Sequence, residues 1–475
     1  MFALSLLASP GSQNRQRPEN GDPAFCAPLA ARAVSIARQP ALHHRQHACS
    51  EEAPMWYDLL DIQRRLAKAF IDAALTVSGL DGAQWGTAGA PRAARDWLIR
   101  STCAFETAPP FAIKAVHSNG KYLPVEESIA DEMPVGTLRK FTRSSCVADP
   151  PGTRPIILCA PLAGHHAVML RETVETLLER CNVVYITDWA DAHDVPLEAG
   201  PLPLTDYVHA LERFICTVRA GGAPAHVVAV CQACVPALAA CSLLASNGTP
   251  PFASVSLLGG PIDTRLHPTS VDRFASAQPL RWFHDRVIDE VPPPYAGAGR
   301  RVYPGFMQQV AILAAHPARQ LDLEARYWTN WLGGNLHDAQ TALRSLNEYA
   351  AVLDMGERYF LDMLSVVFHE HLLARGMWVI DGRCVDPRVL DQVPLCTIEG
   401  DRDDITGAGQ THCAHALCHA PGAPGHRRVT IDQCDHYDLF TGPRWHDAVH
   451  PELCSFWRAI ACDSEAKAAP AASIR

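Results

Sequence analysis

Three residues far apart in the chain have the types needed to attack a carbonyl carbon: Cys231, Asp403 and His436. A thiol attacks as its thiolate, and a helix N-terminus or a neighbouring imidazole favours that form. A histidine takes the thiol proton and later activates water. A carboxylate orients the imidazole and stabilises its charged form. Cys231 is distinguished from the other cysteines by its surroundings, the stretch AHVVAVCQACVPALAA over Ala225–Ala240. His226–Val230 is a short β-branched run and predicts a strand. From Val235 the residues are small and apolar at helical density. Cys231 sits at the join, where a tight strand-to-helix turn exposes its side chain. Ala229 and Ala233, two before and two after, are small enough for such a turn. Ala-x-Cys-x-Ala is common by chance, so the rest of the chain decides its weight. Cys234 and Cys241 fall inside the helix and read as small buried hydrophobes.

The elements that would position these residues follow in order. Residues 1–54, rich in Pro, Ala, Arg, Gln and His, show no lasting periodicity and read as a disordered extension. From Met55, apolar residues Trp56, Leu59, Leu60, Ile62, Leu66, Phe70 and Ile71 recur at helical spacing. Ala112–Val116, Tyr122–Val125 and Arg139–Arg143 predict antiparallel strands, the first two joined by an Asn119-Gly120 turn. Strands at Pro155–Ala160, Asn182–Thr187, His226–Val230 and Phe252–Leu258 then alternate with helices at Ala167–Arg180, Leu204–Arg219 and after Cys231. That alternation predicts a mostly parallel sheet. It stops over 263–391, which holds Trp282, Trp328 and Trp331 and reads as a helical cap insertion, its clearest helix at Tyr349–Ala374. The sheet resumes over 392–461 with strands at Leu395–Glu399 and Arg428–Ile431 and a closing helix from His446. A polar tail is expected over 462–475.

Cys231, Asp403 and His436 each follow a core strand, in the order nucleophile, acid, base. Elbow, order, strand-end placement and insertion together predict the α/β-hydrolase fold, with residues 55–262 and 392–461 forming one core. Asp404 competes with Asp403; the G-x-x-D spacing from Gly400 favours Asp403. Asp432, Asp435 and Asp438 read as turn residues. The oxyanion of a tetrahedral intermediate would be held by the backbone N–H of Gln232 and by a second amide near Leu162 or Ala163. His165 and His166 either line that loop or cap the next helix. His412, His415, Cys418 and His419 could be drawn as a metal site, but the set is irregular and no metal is expected. No Gly-rich phosphate loop or dinucleotide fingerprint occurs, and no cofactor is expected.

Composition narrows the function classes. A net charge of −10 argues against nucleic-acid binding. Seventeen scattered cysteines, many in apolar runs, suit free thiols in a reducing cytosol. From Ala220 to Ile262 there is no Asp, Glu, Lys or Arg, yet Gly and Pro interrupt the run, which reads as a buried strand–helix–strand unit and not a membrane span.

The stretches CAPLAGHHAVMLRETV, VVYITDWADAHDVPLEAG, HVVAVCQACVPALAA, LLGGPIDTRLHPT, GRRVYPGFMQQ, IEGDRDDITGAGQT and DQCDHYDLFTGPRW resemble the intracellular polyhydroxyalkanoate (polyhydroxybutyrate) depolymerases. The resemblance covers Met55 to Ala461. It implies an α/β-hydrolase whose nucleophile, acid and base fall on Cys231, Asp403 and His436. It also implies hydrolysis of stored poly(3-hydroxybutyrate) in the cytoplasm, at the surface of the polymer granule. The family commonly has Pro where this chain has Ala233, a change that keeps the turn residue small. Two other readings are a polyhydroxyalkanoate synthase-type acyltransferase, whose elbow would be expected to carry Gly on both sides of the Cys, and a non-catalytic granule protein. If His436 must be neutral, activity should fall on acidification through its pKa. A preformed thiolate–imidazolium pair would place that fall at the thiol.

Overall fold

A computed structural model describes residues 56–77, 108–118, 120–144, 153–418 and 425–468. The extension expected over 1–54 lies outside these residues.

The β-branched runs form the centre of a nine-stranded sheet. In chain order its strands are β1 (Ala115–Ser118), β2 (Lys121–Met133), β3 (Gly136–Arg143), β4 (Ile156–Cys159), β5 (Val183–Trp189), β6 (Ala225–Val230), β7 (Phe252–Leu258), β8 (Leu395–Gly400) and β9 (His426–Ile431). Their spatial order is β1-β2-β3-β5-β4-β6-β7-β8-β9. The pairs β1–β2, β2–β3 and β3–β5 are antiparallel, and all later pairs are parallel. β6 lies at the middle between β4 and β7, and all its residues are buried. This is the α/β-hydrolase fold.

Helices cover both faces, as apolar strands require. α1 (Trp56–Val77) precedes the sheet. α2 (Arg171–Leu178) and α3 (Leu204–Ala220) follow β4 and β5. α4 (Cys234–Ala245) follows β6, and nearly all of its residues are buried. The uncharged stretch Ala220–Ile262 therefore supplies β6, α4 and β7. Among the described residues no helix is long and apolar enough to cross a membrane.

Between β7 and β8 lie α5 (Ser270–Ala277), α6 (Leu280–Val287), α7 (Gly305–Ala315), α8 (Pro317–Leu332), α9 (Leu336–Ala350) and α10 (Glu357–Met363). The single helix expected over Tyr349–Ala374 is not formed. α9 ends at Ala350, a two-residue strand Met355–Gly356 intervenes, and α10 runs into a π-helical turn, Leu364–His369. The break seats Asp354, which is 5 % exposed. One Asp354 oxygen accepts from the Gly305 amide at 2.6 Å, while the other meets the Tyr57 hydroxyl at 2.5 Å and His193 Nδ1 at 3.0 Å. Asp191, at the end of β5, lies 2.7 Å from the same His193 nitrogen. Burial alone would pull the His193 pKa down, but the two carboxylates outweigh it and push it up. This charged knot ties α1 and the insertion to the sheet. The donor atoms of Asp191, His193 and Asp354 lie within 4.8 Å of one another, and these hydrogen bonds already engage each of them.

The last helix, α11 (His450–Ala468), also departs from expectation. The tail was expected from Cys462, yet the Glu-Ala-Lys-Ala run that follows is made of strong helix formers and prolongs the helix.

Candidate active site

The elbow forms where the sequence places it. Val230 is extended, Cys231 has φ 54°, and a 3-10 turn over Cys231–Ala233 leads into α4. A positive φ at a residue with a Cβ costs of order 1–3 kcal/mol and persists only where its surroundings enforce it. Small neighbours supply the room. Ala229 and Ala233 are buried. A Cβ on Gly260, just after β7, would overlap both Cβ and Sγ of Cys234, so only glycine fits beside the first turn of α4. The Cys231 side chain is half-buried at the floor of the cavity described below. Cys234 is fully buried, its thiol directed at the carbonyls of Ala229 and Leu258, and burial pushes its pKa well up. Only the first of the two thiols faces the cavity.

β8 and β9 deliver the partners. His436 Nδ1 lies 2.7 Å from Asp403 Oδ2. The other Asp403 oxygen accepts from the amides of Ile405 and Thr406 at 2.9 and 2.7 Å, which fixes the carboxylate. The same imidazole lines the cavity beside Cys231, close enough for the two side chains to interact. Burial acts to lower the His436 pKa, but the charges of Asp403 and Cys231 outweigh it and hold it well above the usual histidine value. Asp404 points away, 63 % exposed and 3.9 Å from His316. The geometry thus separates two adjacent carboxylates that spacing alone could only rank.

The loop after β4 is held by two glutamine side chains. Gln232 Oε1 accepts from the Ala163 amide at 3.0 Å and from the Tyr359 hydroxyl of α10 at 2.9 Å. Gln308 Oε1, from α7, accepts from the Gly164 amide at 3.2 Å. The Gln308 Nε2 group donates to the carbonyls of Tyr303 and Leu353, both at 3.0 Å. The Ala163 N–H, one of the amides expected to hold an oxyanion, is thus engaged by the Gln232 side chain.

His165 and His166 both line the cavity. His166 occupies the cap position of the turn Ala167–Leu170 but makes no side-chain capping bond. His165 Nε2 lies 3.3 Å from the Tyr437 hydroxyl, and burial, with the nearby Arg319 charge, pushes its pKa down to about 3, so it stays neutral. His412 and His415 both hydrogen-bond the Thr397 hydroxyl, at 2.7 and 2.9 Å. His419 lies outside the described residues. Spacing gave no signal for Gln308, Tyr359 or Tyr437, because each reaches the site from an element whose packing is set by tertiary contacts.

Above Cys231 and His436 is a cavity of about 210 Å³. Its walls are mainly apolar, with Met169, Phe360, Met363 and Phe368 prominent. Ala311 and Ile312 of α7 close one side. A carbonyl substrate with short aliphatic groups fits such a lining.

Loss of the α7 tether should show in turnover. Gln308→Ala is expected to lower kcat on a soluble ester by about tenfold, a fraction of what removing an oxyanion donor costs. KM should move little, because the cavity wall stays. Steady-state kinetics on the folded variant checks this, and a kcat within about twofold of wild type would contradict it.

Residues 259–461 match the family model described as "PHB de-polymerase C-terminus". Comparison with curated proteins gives no match. Among solved structures, the chain resembles 2-hydroxy-6-oxo-6-phenylhexa-2,4-dienoate hydrolase from Rhodococcus sp. strain RHA1 at 14 % identity and TM-score 0.39, covering 71 % of this chain and 99 % of that one. A monoacylglycerol lipase from Paleococcus ferrophilus aligns at 11 % identity and TM-score 0.42, over 68 % of this chain and 99 % of its own. Over residues 259–461 the chain is thus similar to the PHB de-polymerase C-terminus family, and that similarity supports ester hydrolysis.

Proposed function

We propose that this chain hydrolyses the ester bonds of stored poly(3-hydroxybutyrate) or a related short-chain polyhydroxyalkanoate, through Cys231, His436 and Asp403. The supporting observation is the line Asp403–His436–Cys231 under an apolar cavity. The raised pKa of His436 favours a resting thiolate–imidazolium pair. The Cys231 sulfur attacks the ester carbonyl, and the oxyanion settles against the Gln232 amide and the loop at Leu162. As the C–O bond breaks, His436 passes its proton to the departing hydroxyl of the next unit, leaving a thioester on Cys231. His436, now neutral, takes a proton from water, whose oxygen attacks the thioester. The acid end of the product leaves and the thiolate–imidazolium pair returns. Asp403 keeps the imidazole oriented throughout. The free cysteines among the described residues suit a cytoplasmic enzyme working at the polymer granule.

An acyltransferase of the synthase type would use the same three residues, so product analysis separates the two. Incubation with amorphous poly(3-hydroxybutyrate) particles is expected to release soluble 3-hydroxybutyrate and its short oligomers. Polymer growth from 3-hydroxybutyryl-coenzyme A with no release from particles would sink the proposal.

A further inference from the structure

α1 leaves an apolar stripe outward. Its inward face mixes apolar and polar contacts: Leu60 packs against the core, Tyr57 and Asp61 are buried, the Tyr57 amide donates to Asp289 at 2.8 Å, and Asp61 accepts from the Tyr295 hydroxyl at 2.8 Å. Arg64 lies 4.6 Å over the Phe306 ring. The opposite face carries Leu59, Ile62, Leu66 and Phe70, at the three- and four-residue spacings of one helix stripe. These side chains are 59, 45, 65 and 77 % exposed. An amphipathic helix ordinarily buries its apolar stripe. A continuous exposed one marks an interaction surface.

We infer that the α1 stripe Leu59–Ile62–Leu66–Phe70 is the surface by which the enzyme rests on its solid, uncharged polyester. This rests on the function proposed above. Two observations favour that occupant. The helix is electrically balanced, with Asp58, Asp61 and Asp72 against Arg64, Arg65 and Lys68, and the whole chain carries a net charge of −10. A helix that lies on anionic lipid is typically rich in Lys and Arg on its polar face, whereas an uncharged ester phase asks only for apolar contact. The helix that bears the stripe also packs, by its inward face, on the helix that walls the cavity. Phe306, in contact with Tyr57 and Arg64, begins α7. One turn on, Val310 is 58 % exposed, while Ala311 and Ile312 of the same helix line the cavity. A second copy of the chain is a weaker occupant: a stable dimer buries about 800 Å² on each partner, more than four side chains of one helix supply.

The test uses the full chain. The double change Leu66→Gln with Phe70→Gln is expected to weaken co-sedimentation with amorphous polyester particles by about tenfold or more. Particle hydrolysis should fall in step, with turnover of a soluble 3-hydroxybutyrate trimer unchanged. Unchanged particle binding would overturn the inference. Failure of the proposed function looks different, because wild-type protein would then turn over neither trimer nor particles. A second variant, Phe70→Trp, reads the contact directly, even if the double variant folds poorly. Its added indole emission should shift to the blue with particles and not with neutral or anionic phospholipid vesicles. No shift, an equal shift with vesicles, or an indole already shielded from a soluble quencher without particles would each overturn it. So would a wild-type dimer that the double change dissociates while particle binding persists.

Discussion

Cys231→Ala is expected to abolish release of hydroxy acid from polyester particles, with kcat on a soluble ester falling by about 10⁴-fold or more. Cys231 holds the acyl group in the proposed cycle, and nothing near it can substitute. Cys234, three residues on, is fully buried with its thiol turned to carbonyls. Product formation surviving the change would remove both nucleophile and mechanism, and would favour a non-catalytic granule protein with a contaminating activity. The same variant has a spectroscopic signature. The His436 pKa is held up partly by the Cys231 charge. Without that charge His436 should lose its proton at lower pH than in wild type, read from its ring proton shift in NMR. The sign follows from the charge: removing a neighbouring anion disfavours the imidazolium. An unchanged or higher titration would mean that Cys231 is not a thiolate in the resting enzyme.

Asp403→Asn should cost almost as much, about 10³- to 10⁴-fold in kcat, because an amide cannot hold the imidazole in the same tautomer or stabilise its charge. Asp404→Asn should change kcat by less than about twofold. The contrast is sharp because the residues are adjacent and chemically alike, yet Asp403 is 2 % exposed and 2.7 Å from His436 while Asp404 is 63 % exposed. Kinetics on both variants, with melting temperatures to confirm folding, decide the assignment. Equal losses would mean that the loop Gly400–Thr406 rearranges in the working enzyme.

The centre of the fold was legible because its signals are local. β6, α4 and β7 come from a stretch with no charge at all, and burial leaves such a stretch few alternatives. The strand-end placement of Asp403 and His436 followed from the same alternation. Less local elements were harder to read. β2 was expected to end at Val125 and runs to Met133 through Glu126, Glu127 and Asp131. β1 is only four residues long, so among the described residues most of β2 has one open edge and tolerates charge there. Asp131, moreover, pairs with Arg213 of α3, a contact between residues far apart in sequence. The helix expected across Tyr349–Ala374 failed for a similar reason. Its periodicity is good, but burying Asp354 against Tyr57, His193 and Gly305 breaks it.

At the site, Cys231, Asp403 and His436 could be brought together by type and position, while the side chains that fasten the loop after β4 could not. Gln232 was singled out only for its backbone, and its side chain proves to occupy the Ala163 amide. Gln308 lies in an insertion whose path the sequence did not specify.

The two glutamines bear on how freely parts of this chain could be exchanged. The amides of Ala163 and Gly164 are fastened by one residue of the elbow and one of the insertion. The segment between β7 and β8 is therefore not a detachable module set over a finished catalytic core. A chimera that borrows this segment from another hydrolase to change its taste for substrates would leave Gly164 without its acceptor, unless a glutamine returns at the position of Gln308.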